Sequence, residues 1–143
     1  MSTEIYQDLI LQLHKHPKHE ITQVTGDQVS RKQTNPLCGD EITIAATKDE
    51  LDQQHTGQLQ FIGDGCAISR ASAALLTTEL SEKPTSEALA TIEEFLNQLA
   101  TPFEETTELS NRDAILSIRQ FPARCECAAL AWKTARELIT ANS

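Results

Sequence analysis

The chain has 143 residues, with 12 basic against 21 acidic side chains and a formal net charge of −9. At 39% hydrophobic and 23% charged it can bury a real core, so it is neither disordered by composition nor a disulfide-built miniprotein. An acidic surface of this kind is not built to neutralise phosphates, which sets nucleic acid aside as a partner.

The opening segment MSTEIYQDLI carries acids early and lacks both a basic region and a continuous apolar stretch, so it does not read as a secretory signal. No apolar run approaches the roughly 18 residues of a membrane span. The cytoplasm is the expected location, and there four cysteines serve better as metal ligands or reactive thiols than as disulfide partners. The whole chain, residues 1–143, reads as a single domain.

Over residues 4–15, Tyr6, Leu9, Ile10 and Leu13 fall on one face of an amphipathic helix, which Pro17 should end. A polar stretch follows, with a short β-prone patch at Ile21–Val24 as the candidate edge strand. From Glu41 the period changes to two: Ile42, Ile44 and Ala46 alternate as in a strand with one buried face. KDELDQQHTGQ reads as a loop, and Leu59 and Phe61 then restore the alternation, so the two strands form an antiparallel pair. CAISRASAALLTTEL reads as a helix rich in small residues. Pro84 opens another helix, with Leu89, Ile92, Leu96 and Leu99 recurring and Phe95 alongside, ended near Pro102. After a polar stretch, Ile115, Leu116 and Ile118 lead to Pro122, and a last helix from about Ala128 places Ala131, Ala135 and Leu138 on one face. This order predicts an α+β fold with helices packed on one side of a small antiparallel sheet.

Cys38, Asp40, Cys66 and Cys127 are the candidates for chemistry, each expected where a loop meets a regular element. Gly39 gives the backbone freedom to turn Cys38 and Asp40 toward one point. Cys66 follows GDG at a helix start, where free N–H groups and the helix dipole favour a thiolate. Cys127 is read at the start of the final helix. Three thiolates and one carboxylate would complete a tetrahedral zinc site, with Asp40 the hard and more easily displaced ligand among soft ones. Such an anionic site calls for a nearby cation, and Arg124 is close enough in sequence to supply it.

NPLCGD at 35–40, GDGCAISRASA at 63–73 and PARCECAALAW at 122–132 together resemble the U-type iron–sulfur assembly family of NifU N-terminal domains, IscU and SufU. The shared pattern is N-P-x-C-G-D, then G-x-G-C-x-I-S-x-A-S, then a third cysteine opening the final helix. The chain looks most like the SufU branch, because residues 82–104 match the insert of that branch and Glu126 stands where the IscU branch has histidine. FPARCEC replaces the chaperone-docking motif of IscU-type proteins, so chaperone-assisted release is not implied. The resemblance implies a SufE/NifU-like fold with an inserted helical segment. It also implies a zinc-bound sulfur acceptor that works with a pyridoxal-phosphate cysteine desulfurase and feeds downstream iron–sulfur assembly proteins. Carried over by motif, Cys38 would receive the persulfide sulfur, while Asp40, Cys66 and Cys127 help hold the metal. A partner histidine would enter the zinc shell and free the acceptor thiolate.

Two alternatives stay open: a scaffold that binds iron and builds a transient 2Fe–2S cluster on the same ligands, and a zinc-stapled interaction module without sulfur chemistry. Cys125 departs from the family pattern and is either a spare thiol or an alternative ligand or relay. Arg124 either balances the site or meets the desulfurase. His14, His16, His19 and His55 lie outside the motif blocks, are expected at the surface and are assigned to no metal.

Overall fold

The computed structural model describes residues 3–103 and 110–142. Its elements, in order, are α1 (Thr3–Lys15), β1 (Gln28–Asn35), β2 (Asp40–Thr47), α2 (Lys48–Asp52), β3 (Gln60–Asp64), α3 (Ala67–Leu80), α4 (Thr85–Ala100) and α5 (Asn111–Leu116). A 3₁₀ turn (Ser117–Gln120) and α6 (Pro122–Ala141) complete it. The sheet has order β1-β2-β3 and is antiparallel throughout, in register from Gln28 opposite Thr47 to Asn35 opposite Asp40. The expected α+β architecture is therefore present. Among the described residues no helix is long and apolar enough to cross a membrane.

Ile42, Ile44 and Ala46 of β2 are fully buried together with Phe61 of β3, as their alternation requires. The helices α3 and α6 pack against the sheet and each other. Small side chains on α3 make the close approach possible: Ser69, Ala71, Ser72, Ala73 and Ala74 are all buried. Ser72 then ties the layers together, donating to the Ala128 carbonyl at 2.6 Å and accepting from Trp132 Nε1 at 3.0 Å.

Element boundaries differ from expectation at three places. The strand added to the predicted pair is β1, not Ile21–Val24; residues 19–21 only run beside β3, the other edge of the sheet, with Phe61 N–H donating to His19 O and Ile21 N–H to Phe61 O. β1 is polar because its side chains meet α6 through hydrogen bonds, Gln33 with Thr134 and Glu137, and Arg31 with Glu137. The stretch read as a loop after β2 opens with the short helix α2. The last helix begins at Pro122, six residues before Ala128, because proline at the first helical position needs no N–H partner and has its φ already set.

Residues 82–104, read from the sequence as the insert, contain α4, and residue 104 lies outside the described residues; the buried stripe of α4 is Ala88, Ile92, Phe95 and Leu99, with Leu89 and Leu96 at its margins. Phe95 is thus the centre of the stripe and not its neighbour. It stacks on Trp132 with ring centroids 4.0 Å apart and planes inclined by 11°. Arg112 of α5 ties α3 and α4 together from outside, pairing with Glu79 of α3 and Glu94 of α4.

Phe95→Ala should therefore destabilise the domain by about 3–5 kcal/mol, measured by denaturant unfolding. A loss below about 1 kcal/mol would mean that α4 is appended to the core and not part of it.

Candidate metal centre

The four residues at 36–39 connect β1 to β2, and Asn35 organises that turn. Its carbonyl accepts from the N–H groups of Cys38 (3.2 Å) and Gly39 (2.8 Å), and its side-chain oxygen accepts from Leu37 N–H at 3.2 Å. Gly39 takes φ +73°, a left-handed conformation that a residue with a Cβ resists. The result lifts Cys38 into solvent while Asp40, two residues on, is buried at the head of β2.

Cys66 caps α3, as expected, and its N–H donates to Asp40 Oδ1 at 2.9 Å. Gly65 makes this approach possible, since a Cβ there would meet Asp40 Cγ at 2.9 Å and Asp40 Cα at 3.0 Å. Ser69, one turn further along α3, donates to Asp40 Oδ2 at 2.7 Å. Burial by itself would raise the Asp40 carboxyl, but the Cys66 N–H and Ser69 hydroxyl bonds outweigh it and hold the group below the usual carboxylate range.

Cys127 is not at the start of its helix but in the second turn of α6, fully buried. Asn35 Nδ2 points at its Sγ from 3.7 Å, and Cys38 Sγ lies 3.6 Å away. Burial, and then the neighbouring Cys38 and Asp40 groups, push this thiol above its ordinary value. The ligand atoms of Cys38, Asp40 and Cys127 all lie within 4.8 Å of one another.

Cys66 stands at the side of this trio. Its Sγ is 3.8 Å from Asp40 Oδ2 and 3.6 Å from Ser69 Oγ, but it does not join the mutually close set. The donor set nevertheless suits zinc. Bonds of about 2.3 Å to sulfur and 2.0–2.2 Å to oxygen give tetrahedral ligand–ligand edges of about 3.5–3.8 Å; the Cys38–Cys127 and Cys66–Asp40 separations of 3.6 and 3.8 Å are of that size, and Cys66 would have to turn toward the trio to complete the tetrahedron.

The remaining candidates fall as follows. Cys125 is half-buried, its thiol raised by burial and by Glu126 against the pull of Arg119, and it sits two residues from Cys127 on the same helix. Residues two apart face opposite sides of a helix. Arg124 is exposed at the first turn of α6 and forms no ion pair among the described residues. It lines, with Cys66, an apolar groove of about 740 Å³ between α1, α3 and α6. Only His16 of the four histidines is exposed; His14, His19 and His55 are half-buried and hydrogen-bonded to Arg70, Gln58 and Glu50.

Ser69 and Asn35 act on the site without being ligand candidates, and sequence reasoning passed over both. The signal for Ser69 was available: it follows Cys66 by three, which puts both on one helix face.

The sequence pattern of the NifU-like N terminal domain family matches residues 5–128. The zinc-dependent sulfurtransferase SufU of Bacillus subtilis is 30% identical over 130 residues, covering 90% of this chain and 85% of that protein. The iron–sulfur cluster assembly scaffold protein IscU of Streptococcus pyogenes is 29% identical over 138 residues, 94% of this chain and 82% of that one. Among solved structures, a SufU from Fervidobacterium islandicum, described as an iron–sulfur cluster assembly scaffold protein of the SUF system, superposes with TM-score 0.80 at 25% identity, covering 97% and 99% of the two chains. The N-terminal NifU-like protein of Brucella abortus shares the fold at TM-score 0.76 and 16% identity, covering 97% and 96% of the two chains.

Removing a group that orients a ligand from behind typically weakens metal binding about 10- to 100-fold. Ser69→Ala should do so for zinc, measured by competition with a chromogenic chelator, and an unchanged affinity would remove the hydroxyl from the site.

Proposed function

As the chain belongs to the NifU-like N-terminal domain family, and its relatives include iron–sulfur cluster assembly proteins, we propose that it is a zinc-dependent sulfurtransferase that takes persulfide sulfur from a cysteine desulfurase on Cys38. The observation that carries this reading is the placement of one exposed thiol, Cys38, against a buried carboxylate, Asp40, and a buried thiol, Cys127, with no cationic side chain paired to that carboxylate among the described residues. A site that only stapled the fold would have no use for a ligand standing in solvent. The SufU relative supports the same choice, as does α4, which falls in the segment whose sequence resembles the insert of that branch.

Asp40, Cys66 and Cys127 would hold zinc together with Cys38. Zinc, when bound, keeps thiolates deprotonated without redox chemistry of its own. The chain supplies the rest. Asn35 and Gly39 hold Cys38 outward, and Leu37 beside it is 87% exposed, so both reach a docking partner first. In the transfer itself the Cys38 thiolate attacks the terminal sulfur of the desulfurase persulfide. The S–S bond on the desulfurase breaks, its cysteine leaves as thiolate, and the sulfur remains on Cys38. The desulfurase, with its pyridoxal phosphate, and the downstream iron–sulfur assembly proteins are the partners of this reading, and the reducing cytoplasm is its compartment.

The second reading, a scaffold that assembles a cluster from iron and sulfide on the same ligands, is favoured by the IscU relative. In that case iron and sulfide are the cargo. The two differ in stimulation of the desulfurase. The sulfurtransferase should accelerate cysteine desulfuration, and Cys38→Ala should abolish the acceleration to at most a few per cent of the unaltered protein. Full stimulation by Cys38→Ala would refute the acceptor role, and its absence from the unaltered protein would favour the scaffold.

A further inference from the structure

The 3.6 Å contact between Cys38 and Cys127 has a chemical consequence once Cys38 carries an extra sulfur. We propose that Cys127 is a resolving thiol: freed from metal, it attacks the Cys38 persulfide and releases the carried sulfur as hydrosulfide, so that zinc is what keeps the sulfur on the protein. The inference rests on Cys38 being the sulfur acceptor.

The step balances within the chain. Cys127 Sγ attacks Cys38 Sγ, the sulfur bonded to Cβ, and a Cys38–Cys127 disulfide forms. The bond between Cys38 Sγ and the terminal sulfur breaks, and that sulfur leaves with the electron pair, taking the Cys127 proton, as hydrosulfide. The terminal sulfur is reduced, the Cys127 sulfur is oxidised from thiol to disulfide level, Cys38 Sγ keeps the level it had in the persulfide, and no outside oxidant is consumed.

Geometry selects Cys127 among the three other thiols. It is the one whose sulfur touches Cys38. The Cys66 sulfur sits against Asp40 and Ser69. Cys125 lies on the opposite side of α6 from Cys127. Because Cys127 is fully buried while Cys38 is exposed, small thiols from solvent reach the outer sulfur of the persulfide but not Cys127 itself. Metal ligation ties up the lone pair of the buried Cys127 sulfur that the attack needs, whereas the exposed Cys38 has room to leave the metal and meet a sulfur donor. Loss of zinc thus turns a sulfur carrier into a sulfide source and closes the site with a disulfide.

The test begins with the zinc-bound full chain. Sodium tetrasulfide, which needs no desulfurase, loads sulfur on Cys38; the protein is desalted without oxygen and EDTA is added. Released hydrosulfide is followed with a sulfide electrode and the cysteines are mapped by non-reducing peptide mass spectrometry after iodoacetamide. The unaltered protein should give a stoichiometric burst of hydrosulfide with a Cys38–Cys127 disulfide. Without EDTA, or in Cys127→Ser with EDTA, the extra sulfur should stay on Cys38 roughly tenfold longer or more. Sulfur retained on Cys38 after EDTA, sulfur moved to Cys127, or a disulfide from Cys38 to Cys66 or Cys125 would overturn the proposal, as would release from Cys127→Ser at the unaltered rate. The disulfide map of the unaltered chain decides the matter even if the serine variant folds poorly. Loading of Cys38 by tetrasulfide but not by a desulfurase would refute the acceptor reading alone.

Discussion

A carboxylate buried at the head of β2 joins three separate parts of the chain. Asp40 closes the β1–β2 ladder opposite Asn35, accepts the N–H of Cys66 at the start of α3, and takes a hydroxyl hydrogen from Ser69 one turn later. Cys127 on α6 is brought to the same point from the other side. Burying a carboxylate costs several kcal/mol unless its charge is answered. Here two protein hydrogen bonds answer part of it, and the remaining charge is what a cation would neutralise. Gly65 is required because nothing larger leaves room for Asp40.

The same arrangement makes two unlike thiols out of one residue type. Cys38 rides on a tight turn and faces solvent, with Leu37 exposed beside it; Cys127 is closed off under the turn, in contact with Asn35 and Cys38. Exposure suits a thiol that must meet another protein, and burial suits one that must stay. That division of labour follows from backbone geometry, since a left-handed Gly39 and an early start to α6 set the two depths.

Much of this was legible in the sequence, and the exceptions have physical causes. The two-residue period at Ile42–Ala46 and the small-residue run after Cys66 announced β2 and α3, because packing against apolar neighbours leaves a periodic trace. β1 left none: Gln33 and Arg31 are satisfied by α6 through hydrogen bonds, which obey no hydropathy pattern. The depth of Cys127 was misjudged for a related reason. From Cys127 to Trp132 α6 is buried on every side, so its amphipathic stripe is faint and Pro122 looked like a boundary in place of a first turn. The motif blocks brought Cys38, Asp40 and Cys127 to one place, while the offset of Cys66 and the supporting parts of Asn35 and Ser69 depend on side-chain directions that spacing alone does not encode.

The central claim is that three sulfurs and one carboxylate oxygen from these distant positions share a single zinc ion. X-ray absorption at the metal edge of the purified protein tests it most directly. The account predicts zinc with three sulfur neighbours at about 2.3 Å and one oxygen at about 2.0–2.2 Å, the oxygen shell being replaced in Asp40→Ala. Zinc bound by four sulfurs, which would bring in Cys125 and leave Asp40 out, would contradict it, and so would iron with bridging sulfide.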